Sequence, residues 1–292
     1  MGRDSFLRYF EKKVGRTMRS NKLLENDDKV CVALSGGKDS LVLLSVLKKL
    51  SERAPKSGLF AITIDEGAGK YKTETLKAAR ELCERLDVEH YVFSFKEEFG
   101  TTLDKIAASL RKKPENPEPC SYCGVLRRYL INVKARELGA TKVATGHILD
   151  DEIQSAMMNF TRGDYMRMAR LGAYVGVIGD DTIVPRIKPL RDCVGKDVKT
   201  YAKIKELPVN LPGCPYSANS FRTSVHEVIE RLEDRHPGSK YQLLRSADVL
   251  IKLLRESMDD CRTIKKCRIC GELSSGEVCK VCLIKKELSI KD

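Results

Sequence analysis

Apolar residues at Phe6, Leu7, Phe10, Val14 and Met18 recur at helical spacing among lysines and arginines, which predicts a basic amphipathic helix over residues 5–22. The rhythm then changes. KVCVAL (29–34) is a short apolar run rich in β-branched residues and predicts a buried strand. SGGKDS (35–40) and LVLLSVLKKL (41–50) follow it as a glycine turn and a helix. LFAITID (59–65) and VEHYVFSF (88–95) predict two more strands, each trailed by a helix, at 73–86 and 101–112. A proline-rich stretch, KKPENPEPCSYC (112–123), reads as a loop. Helix 124–138, strand TKVATGH (141–147) and helix DDEIQSAMMNF (150–160) then restore the alternation.

Strands alternating with helices of this length predict an α/β fold with a parallel sheet covered on both faces. Ligands in such folds sit beyond the carboxyl ends of the strands, and SGGKDS and GHILDDE both fall there, so they can share one crevice. After about residue 190 the alternation fades into helices at 195–206, 219–233 and 239–258, followed by a cluster of cysteines. The pattern divides the chain into an N-terminal helix (1–24), an α/β domain (25–215), a helical extension (216–262) and a terminal module (263–292).

Composition narrows the classes. At 292 residues, 42% hydrophobic and 32% charged, the chain can bury a full core. No apolar run approaches the roughly 20 residues of a membrane span. MGRDSFLRYFEKK carries early charges and no apolar core of a secretory signal, so the expectation is a cytoplasmic protein. A net charge of +12 and a pI near 9.1 suit a polyanionic partner, although charge alone also suits a lysine-rich protein with none. The 11 cysteines, with no export signal, argue against a disulfide framework and for metal or redox chemistry where they pair. Cys31, Cys83, Cys193 and Cys261 stand alone and read as ordinary small residues.

Ser35-Gly36-Gly37-Lys38-Asp39-Ser40 closes a buried strand and opens a helix. Glycines let the backbone approach an anion, and a helix N-terminus adds N–H donors and a favourable dipole. Ser35 and Ser40 can donate hydroxyls and Lys38 can offset phosphate charge. Asp39 beside a phosphate implies a divalent cation, Mg2+, between them. The spacing is neither a Walker A loop nor a dinucleotide fingerprint.

Cys120 and Cys123 stand three apart at a helix start, where a thiol's pKa is lowered and metal ligation or nucleophilic attack is favoured. Cys214-Pro215 can complete a three-ligand site; the residues alone leave a zinc half-site, a redox pair and a cluster open. Cys267-x2-Cys270-x8-Cys279-x2-Cys282 is different: four thiolates at this spacing fit a closed tetrahedral Zn2+ site with a structural or RNA-docking role. Lys265, Lys266, Arg268, Lys280, Lys285 and Lys286 surround it and suit phosphate contacts.

SGGKDS resembles the PP-loop of N-type ATP pyrophosphatases. CSYCGVLRRYLIN, ATGHILDDE, MNFTRGDYMRMAR and GCPYS extend the resemblance to the tRNA 2-thiouridine synthetases, most of all the wobble-uridine branch, over about residues 5–285. The resemblance implies a parallel-sheet PP-loop domain with a helical extension and a small zinc module. It implies ATP on Ala33, Leu34, Ser35, Gly36, Gly37, Lys38, Asp39, Ser40, Thr63, Gly146 and Asp151, with the adenosine side reaching Thr63 and Gly146. It further implies a [4Fe-4S] cluster on Cys120, Cys123 and Cys214, whose fourth iron, without a protein ligand, carries sulfide. Cys120, Cys123, Cys214, Asp39, Asp151 and Arg127 are then the catalytic set, and Arg127 and Arg128 join the RNA-binding cations. His147 is expected to position the loop and the nucleotide.

A family lysine in the C-x-x-C helix is Arg127 here. Arginine binds phosphate but does not act as a base, and the wobble-uridine branch favours arginines there. Relatives often carry a second zinc module ahead of the first helix; this sequence has no cysteine before Cys31. The implied partners are tRNA, ATP, a sulfur donor (sulfide or the thiocarboxylate of a ubiquitin-like carrier) and a second copy in a homodimer. Four rival readings stay open: a persulfide and disulfide route without iron, thiolation of uridine 54 or cytidine 32, a small-molecule adenylating ligase, and a non-catalytic RNA-binding scaffold.

Overall fold

Val30, Val32 and Leu34 turn to one face of the central sheet and Cys31 to the other, because successive side chains of a strand point to opposite sides. Both faces are apolar, as a strand covered on both sides requires. The computed structural model describes residues 2–52, 58–176, 182–209, 213–216, 221–257 and 265–290. Along the chain these form α1 (Arg3–Ser20), β1 (Lys29–Ala33), α2 (Lys38–Ser51), β2 (Gly58–Asp65), α3 (Gly69–Leu86) and β3 (Glu89–Ser94). Next come α4 (Phe95–Phe99), α5 (Leu103–Leu110), α6 (Pro119–Glu137), β4 (Lys142–Ala144), α7 (Leu149–Thr161) and α8 (Tyr165–Ala169). The chain ends in β5 (Tyr174–Val175), β6 (Arg186–Ile187), α9 (Gly195–Ile204), α10 (Phe221–Arg235), α11 (Ser239–Ser257), β7 (Lys265–Lys266), β8 (Leu273–Ser274) and α12 (Lys280–Glu287).

The main sheet has the order β3-β2-β1-β4-β6-β5. All its pairings are parallel except β5 with β6. Strand order reverses between β1 and β4, whose register sets Val32 beside Ala144. Connections leave these two strands in opposite directions, so a crevice opens at their carboxyl ends.

On one face, α1, α2, α3 and α9 bury Phe10, Leu44, Leu82 and Tyr201 in one core. The rings of Phe10 and Tyr201 lie 4.7 Å apart. Tyr201 donates its hydroxyl to Glu11 (3.3 Å), and Glu11 pairs with Lys49 at 2.8 Å, so α1 is fixed to α9 and α2 by packing and by charge. The other face buries Phe95, Ile106, Leu126 and Leu130 of α4 to α6, and Cys267, Cys279, Val281 and Ile284 of the terminal module belong to the same core. Glu287 accepts from Lys113 (2.5 Å) and Tyr122 (2.6 Å), which ties that module to α6 and the segment before it. Helices α10 and α11 pack on α7 and α8 through Ile153, Ile229, Leu244, Met168 and Ile251. Among the described residues no helix is long and apolar enough to cross a membrane.

Several boundaries differ from the pattern read in the sequence. Helix α6 starts at Pro119, not at 124, since proline's fixed φ and missing N–H suit a first helical turn; both Cys120 and Cys123 therefore lie inside the helix. The helix expected over 101–112 is the shorter α5, capped by Thr102, and a further short helix, α4, precedes it and stops at Gly100, whose φ is 64°. β4 is shorter than 141–147: Thr145 still donates its N–H to the Ile187 carbonyl (3.0 Å), and the regular strand ends there. α8, β5 and β6 were not expected, being too short to show a period. The helix expected over 219–233 is α10; residues 219–220 lie outside the described residues.

Phe10 is fully buried against Tyr201. Phe10→Ala is expected to cost about 3–5 kcal/mol of stability, read as a lowered urea midpoint at unchanged slope.

Candidate active site

The glycine loop is built from its root. Leu34 donates its N–H to the Ile62 carbonyl (2.8 Å), and its own carbonyl accepts from the Thr63 hydroxyl (2.6 Å). That hydroxyl also shares a hydrogen bond with His90 Nε2 at 2.7 Å, and Thr63 is wholly buried. Its side chain therefore braces the loop from behind. Gly36 has φ +81°, and a Cβ there would lie 1.9 Å from the Thr75 carbonyl, so only glycine fits between the loop and α3. Ser40 donates its hydroxyl to the Gly37 carbonyl (2.8 Å), and Ser35 accepts from the Gly37 N–H (3.2 Å). The loop thus wraps the N-terminus of α2, whose leading N–H groups form an anion site. Lys38 pairs with Asp39 at 2.5 Å.

The facing wall comes from β4. A Cβ on Gly146 would fall 2.9 Å from the Ser40 N and 3.0 Å from the Asp39 carbonyl carbon, so the two loops touch through bare backbone. Asp151 accepts from the Ile148 N–H (3.1 Å) and caps α7. Its carboxyl is raised above the ordinary range by burial and then by the charges of Asp39 and Asp150, while Arg222 at 3.8 Å opposes that rise. Asp150 serves the frame instead, accepting from Gly195 N (2.8 Å) and from Lys240 (2.5 Å) and so binding α9 and α11 to α7. Of the adjacent acids, only Asp151 faces Asp39 across the crevice.

Helix α6 presents Cys120 and Cys123. Cys120 donates its thiol to the Tyr216 carbonyl (2.7 Å), which lays residues 213–216 against the helix, and Cys214 lies close enough for its charge to bear on both other thiols. The expectation of a lowered thiol pKa at this helix start is overturned. Burial raises Cys120 and pushes Cys123 up to about 12, outweighing the helix terminus and the nearby Arg127. Such thiols are poor nucleophiles at neutral pH, and a metal cation displaces their protons, so the donor set fits soft-metal ligation. Arg127 pairs with Glu66 (3.2 Å), which also pairs with Lys72 (2.9 Å). Burial opposes the ionised form of Glu66, but Lys72 and Arg127 outweigh it and hold the carboxyl below its usual range.

Between the cysteines and the glycine loop the cleft wall is cationic. Arg186 donates to the Arg128 carbonyl (3.1 Å), and Lys188 and Arg222 stand near His147. His147 is exposed, yet crowding by the surrounding protein and then Lys188, Arg222, Arg186 and Arg127 push its pKa down to about 3. Arg186, Lys188 and Arg222 gave no signal in the sequence, being single cations in otherwise unremarked stretches.

The terminal thiols lie within 4.8 Å of one another, with Cys267 to Cys282 at 3.9 Å and Cys270 to Cys279 at 3.6 Å. A tetrahedral ion with metal–sulfur bonds of about 2.3 Å spaces its ligands about 3.8 Å apart, so the four fit one ion with no open position. N–H groups of Cys270 and Cys279 lower the Cys267 thiol to about 6. Lys265, Lys266, Arg268 and Lys280 are exposed around the module, Arg268 paired with Glu277 at 3.2 Å. Cys31, Cys83 and Cys193 are buried singly, and Cys261 lies outside the described residues. Asp164 caps α8 by accepting from the Arg167 N–H at 2.9 Å.

A glycine loop that wraps a helix N-terminus at the switch point of a parallel sheet, and that is neither Walker A nor Rossmann in spacing, places the chain in the class of PP-loop nucleotide-binding proteins. The family profile described as a PP-loop domain matches residues 7–209. The tRNA 2-thiolation protein NcsA of Haloferax volcanii is 38% identical over 294 residues, covering 96% of this chain and 90% of that protein. Cytoplasmic tRNA 2-thiolation protein 1 of Caenorhabditis elegans is 34% identical over 280 residues, 96% of this chain and 73% of that one. The structure of U34-tRNA thiolase NcsA from Methanococcus maripaludis with its [4Fe-4S] cluster aligns over 100% of this chain and 91% of that chain, with a TM-score of 0.83 and 37% identity. The chain belongs to the PP-loop tRNA 2-thiolation family.

Gly36→Ala is expected to weaken ATP binding roughly tenfold or more, measured by calorimetry, while the far-ultraviolet dichroism stays unchanged. His147 binds its proton only far below the unfolded value near 6.5, so its stabilising contribution is complete above about pH 6.5 and is lost as pH falls toward about 3. His147→Gln is expected to flatten that part of the stability-against-pH curve, read from thermal midpoints between pH 7 and 4.

Proposed function

We propose that this protein is an ATP-dependent tRNA thiolase that adenylates the C2 oxygen of uridine, in the first place wobble uridine 34, and replaces that oxygen with sulfur. One observation carries the reading: the glycine loop and the three cysteines are linked through the same side chains, Arg127 and Tyr71. Arg127 bears on Cys123 on one side and on His147 of the facing wall on the other. Tyr71 lies in a cavity of about 1120 Å³ with Gly37 and Lys38, and also feels the charges of Cys214 and Cys123. The names of the relatives, 2-thiolation proteins and a U34-tRNA thiolase, fit that arrangement.

ATP lies with its phosphates on residues 35–40, where loop amides and Lys38 face them. Asp39 and Asp151, whose charges bear on each other, are hard oxygen donors that would hold Mg2+, which when bound would offset phosphate charge. The uridine C2 oxygen attacks the α-phosphorus, pyrophosphate leaves, and the loop N–H groups and Lys38 meet the charge that develops on it. Arg127, Arg128 and Arg186 neutralise the RNA and hold the base in line, with His147 neutral beside them. A sulfur nucleophile then adds at C2 and AMP departs. Cys120, Cys123 and Cys214 would hold a [4Fe-4S] cluster, which when bound supplies an iron without a protein ligand as the sulfide's site. Cys267, Cys270, Cys279 and Cys282 would hold Zn2+, closing the terminal module against α6. Sulfide or a ubiquitin-like thiocarboxylate is the donor, and the enzyme works as a homodimer.

The test is anaerobic thiolation of a wobble-uridine tRNA with ATP and sulfide, read by mass spectrometry of the nucleosides, with metals quantified on the same sample. About four irons and one zinc per chain are expected. Cys214→Ala should lose thiolation by roughly a hundredfold or more while ATP affinity holds. Full thiolation by that variant, or an active protein with zinc but no iron, would remove the cluster from the reaction.

A further inference from the structure

The turn joining α7 to α8 carries the two most exposed aromatic rings among the described residues, Phe160 at 72% and Tyr165 at 61%. The turn is stiff. Gly163, at φ +64°, lets its N–H reach the Phe160 carbonyl (3.1 Å), and the Asp164 N–H reaches the Asn159 carbonyl (2.9 Å), which closes the end of α7. Asp164 then caps α8, and α8 buries Met168 and Ala169 beside α11. The two rings are therefore held out in water by a fixed backbone, which marks a contact surface.

Arginines surround them. The Arg162 guanidinium lies 4.6 Å from the centre of the Phe221 ring, Arg167 is held by Asp164 at 3.2 Å, and Arg170 is exposed. Arg167 also lies near enough to lower the pKa of Arg128, so the patch continues the cationic cleft. At a rise of about 1.5 Å per residue, Phe160 sits roughly 14 Å along α7 from Asp151, a span that a few nucleotides cover. Rings interleaved with arginines match a single strand, in which every base offers a flat face and every link a phosphate. A second copy seated on the same patch would set these arginines against their own equivalents.

We propose that this turn is a stacking platform for unpaired bases that flank the target nucleotide, an inference that rests on the reading of the chain as a tRNA thiolase. The experiment uses the full chain and an anticodon stem–loop RNA carrying 2-aminopurine beside the target uridine. Phe160→Ala and Tyr165→Ala should each weaken binding about tenfold by anisotropy, while Phe160→Trp and Tyr165→Phe keep the wild-type affinity. Stacking should quench the 2-aminopurine on the wild-type protein and not on the double alanine variant, whose thermal midpoint should be unchanged. Binding of a fully paired RNA should be indifferent to both rings.

Unchanged affinity and quenching in the double variant, with thiolation intact, would overturn the platform and leave the thiolase reading standing. Conversion of a dimer to a monomer with RNA affinity intact would assign the rings to a second copy and overturn it too. Quenching that depends on the rings, in a protein that never thiolates, would sustain the platform and sink the thiolase reading. A wild-type chain that binds no RNA would sink both.

Discussion

The close approach of two backbones, Gly146 against Ser40 and Asp39, is the contact on which the rest of the site depends. It exists because β1 and β4 are neighbours where strand order reverses, and it leaves no room for even a methyl group. Once the loops touch, Asp39 and Asp151 face each other, the N-terminus of α2 points into the crevice, and α7 leaves from its rim. Gly36 does the same service on the other flank, where the Thr75 carbonyl fills the space of a side chain. Two glycines thus convert a common sheet into an anion-binding cleft, at the cost of backbone freedom that the buried Thr63–Leu34 hydrogen bond helps to offset.

Charge is the second constraint. The cleft gathers Arg127, Arg128, Arg186, Lys188 and Arg222 in a protein that is already +12 overall, and such a concentration is tolerable only where counter-charges are fixed nearby. Glu66 anchors Arg127 and Lys72, and Glu152 anchors Lys188 at 2.6 Å, so these cations are positioned by buried carboxylates. Among the described residues Arg186 and Arg128 have no such carboxylate; burial and then Arg128 lower the pKa of Arg186, and burial and then Arg127 lower that of Arg128. Like charges gathered at one wall are a standing demand for an anionic partner, which a nucleic acid meets. The thiols of Cys120 and Cys123 sit beside that field, yet burial dominates and favours their protonated form.

The order of strands and helices, the glycine turn and the four-cysteine module were legible in the residues because each is a local pattern: a period of two or of 3.6, a strand–glycine–helix junction, a pair of C-x2-C spacings. The resemblance of CSYC, GHILDD and GCPYS to one family joined the distant pieces. Local pattern failed where competition decided. Pro119 drew the helix start forward over both cysteines, Ser94 and Gly100 bounded a five-residue helix that no period announced, and β5 and β6 have two residues each, too few for any period. Asp150 and Asp151 look equivalent as neighbours, but helical geometry aims one at the frame and the other at the crevice.

By itself the sequence determined the chemistry available to this protein: a phosphate-binding loop, a pair of thiols three residues apart, a closed four-thiolate site and an excess of positive charge. Those follow from residue types at short spacing, and spacing is a property of the chain. Only the tertiary structure decided that Thr63 braces the loop, that Arg186, Lys188 and Arg222 join Arg127 around His147, and that Cys214 comes to rest beside Cys120. The same is true of Phe160 and Tyr165 standing in water beside that wall. Those outcomes depend on which surfaces bury and which charges face one another, and burial and field are properties of the folded whole.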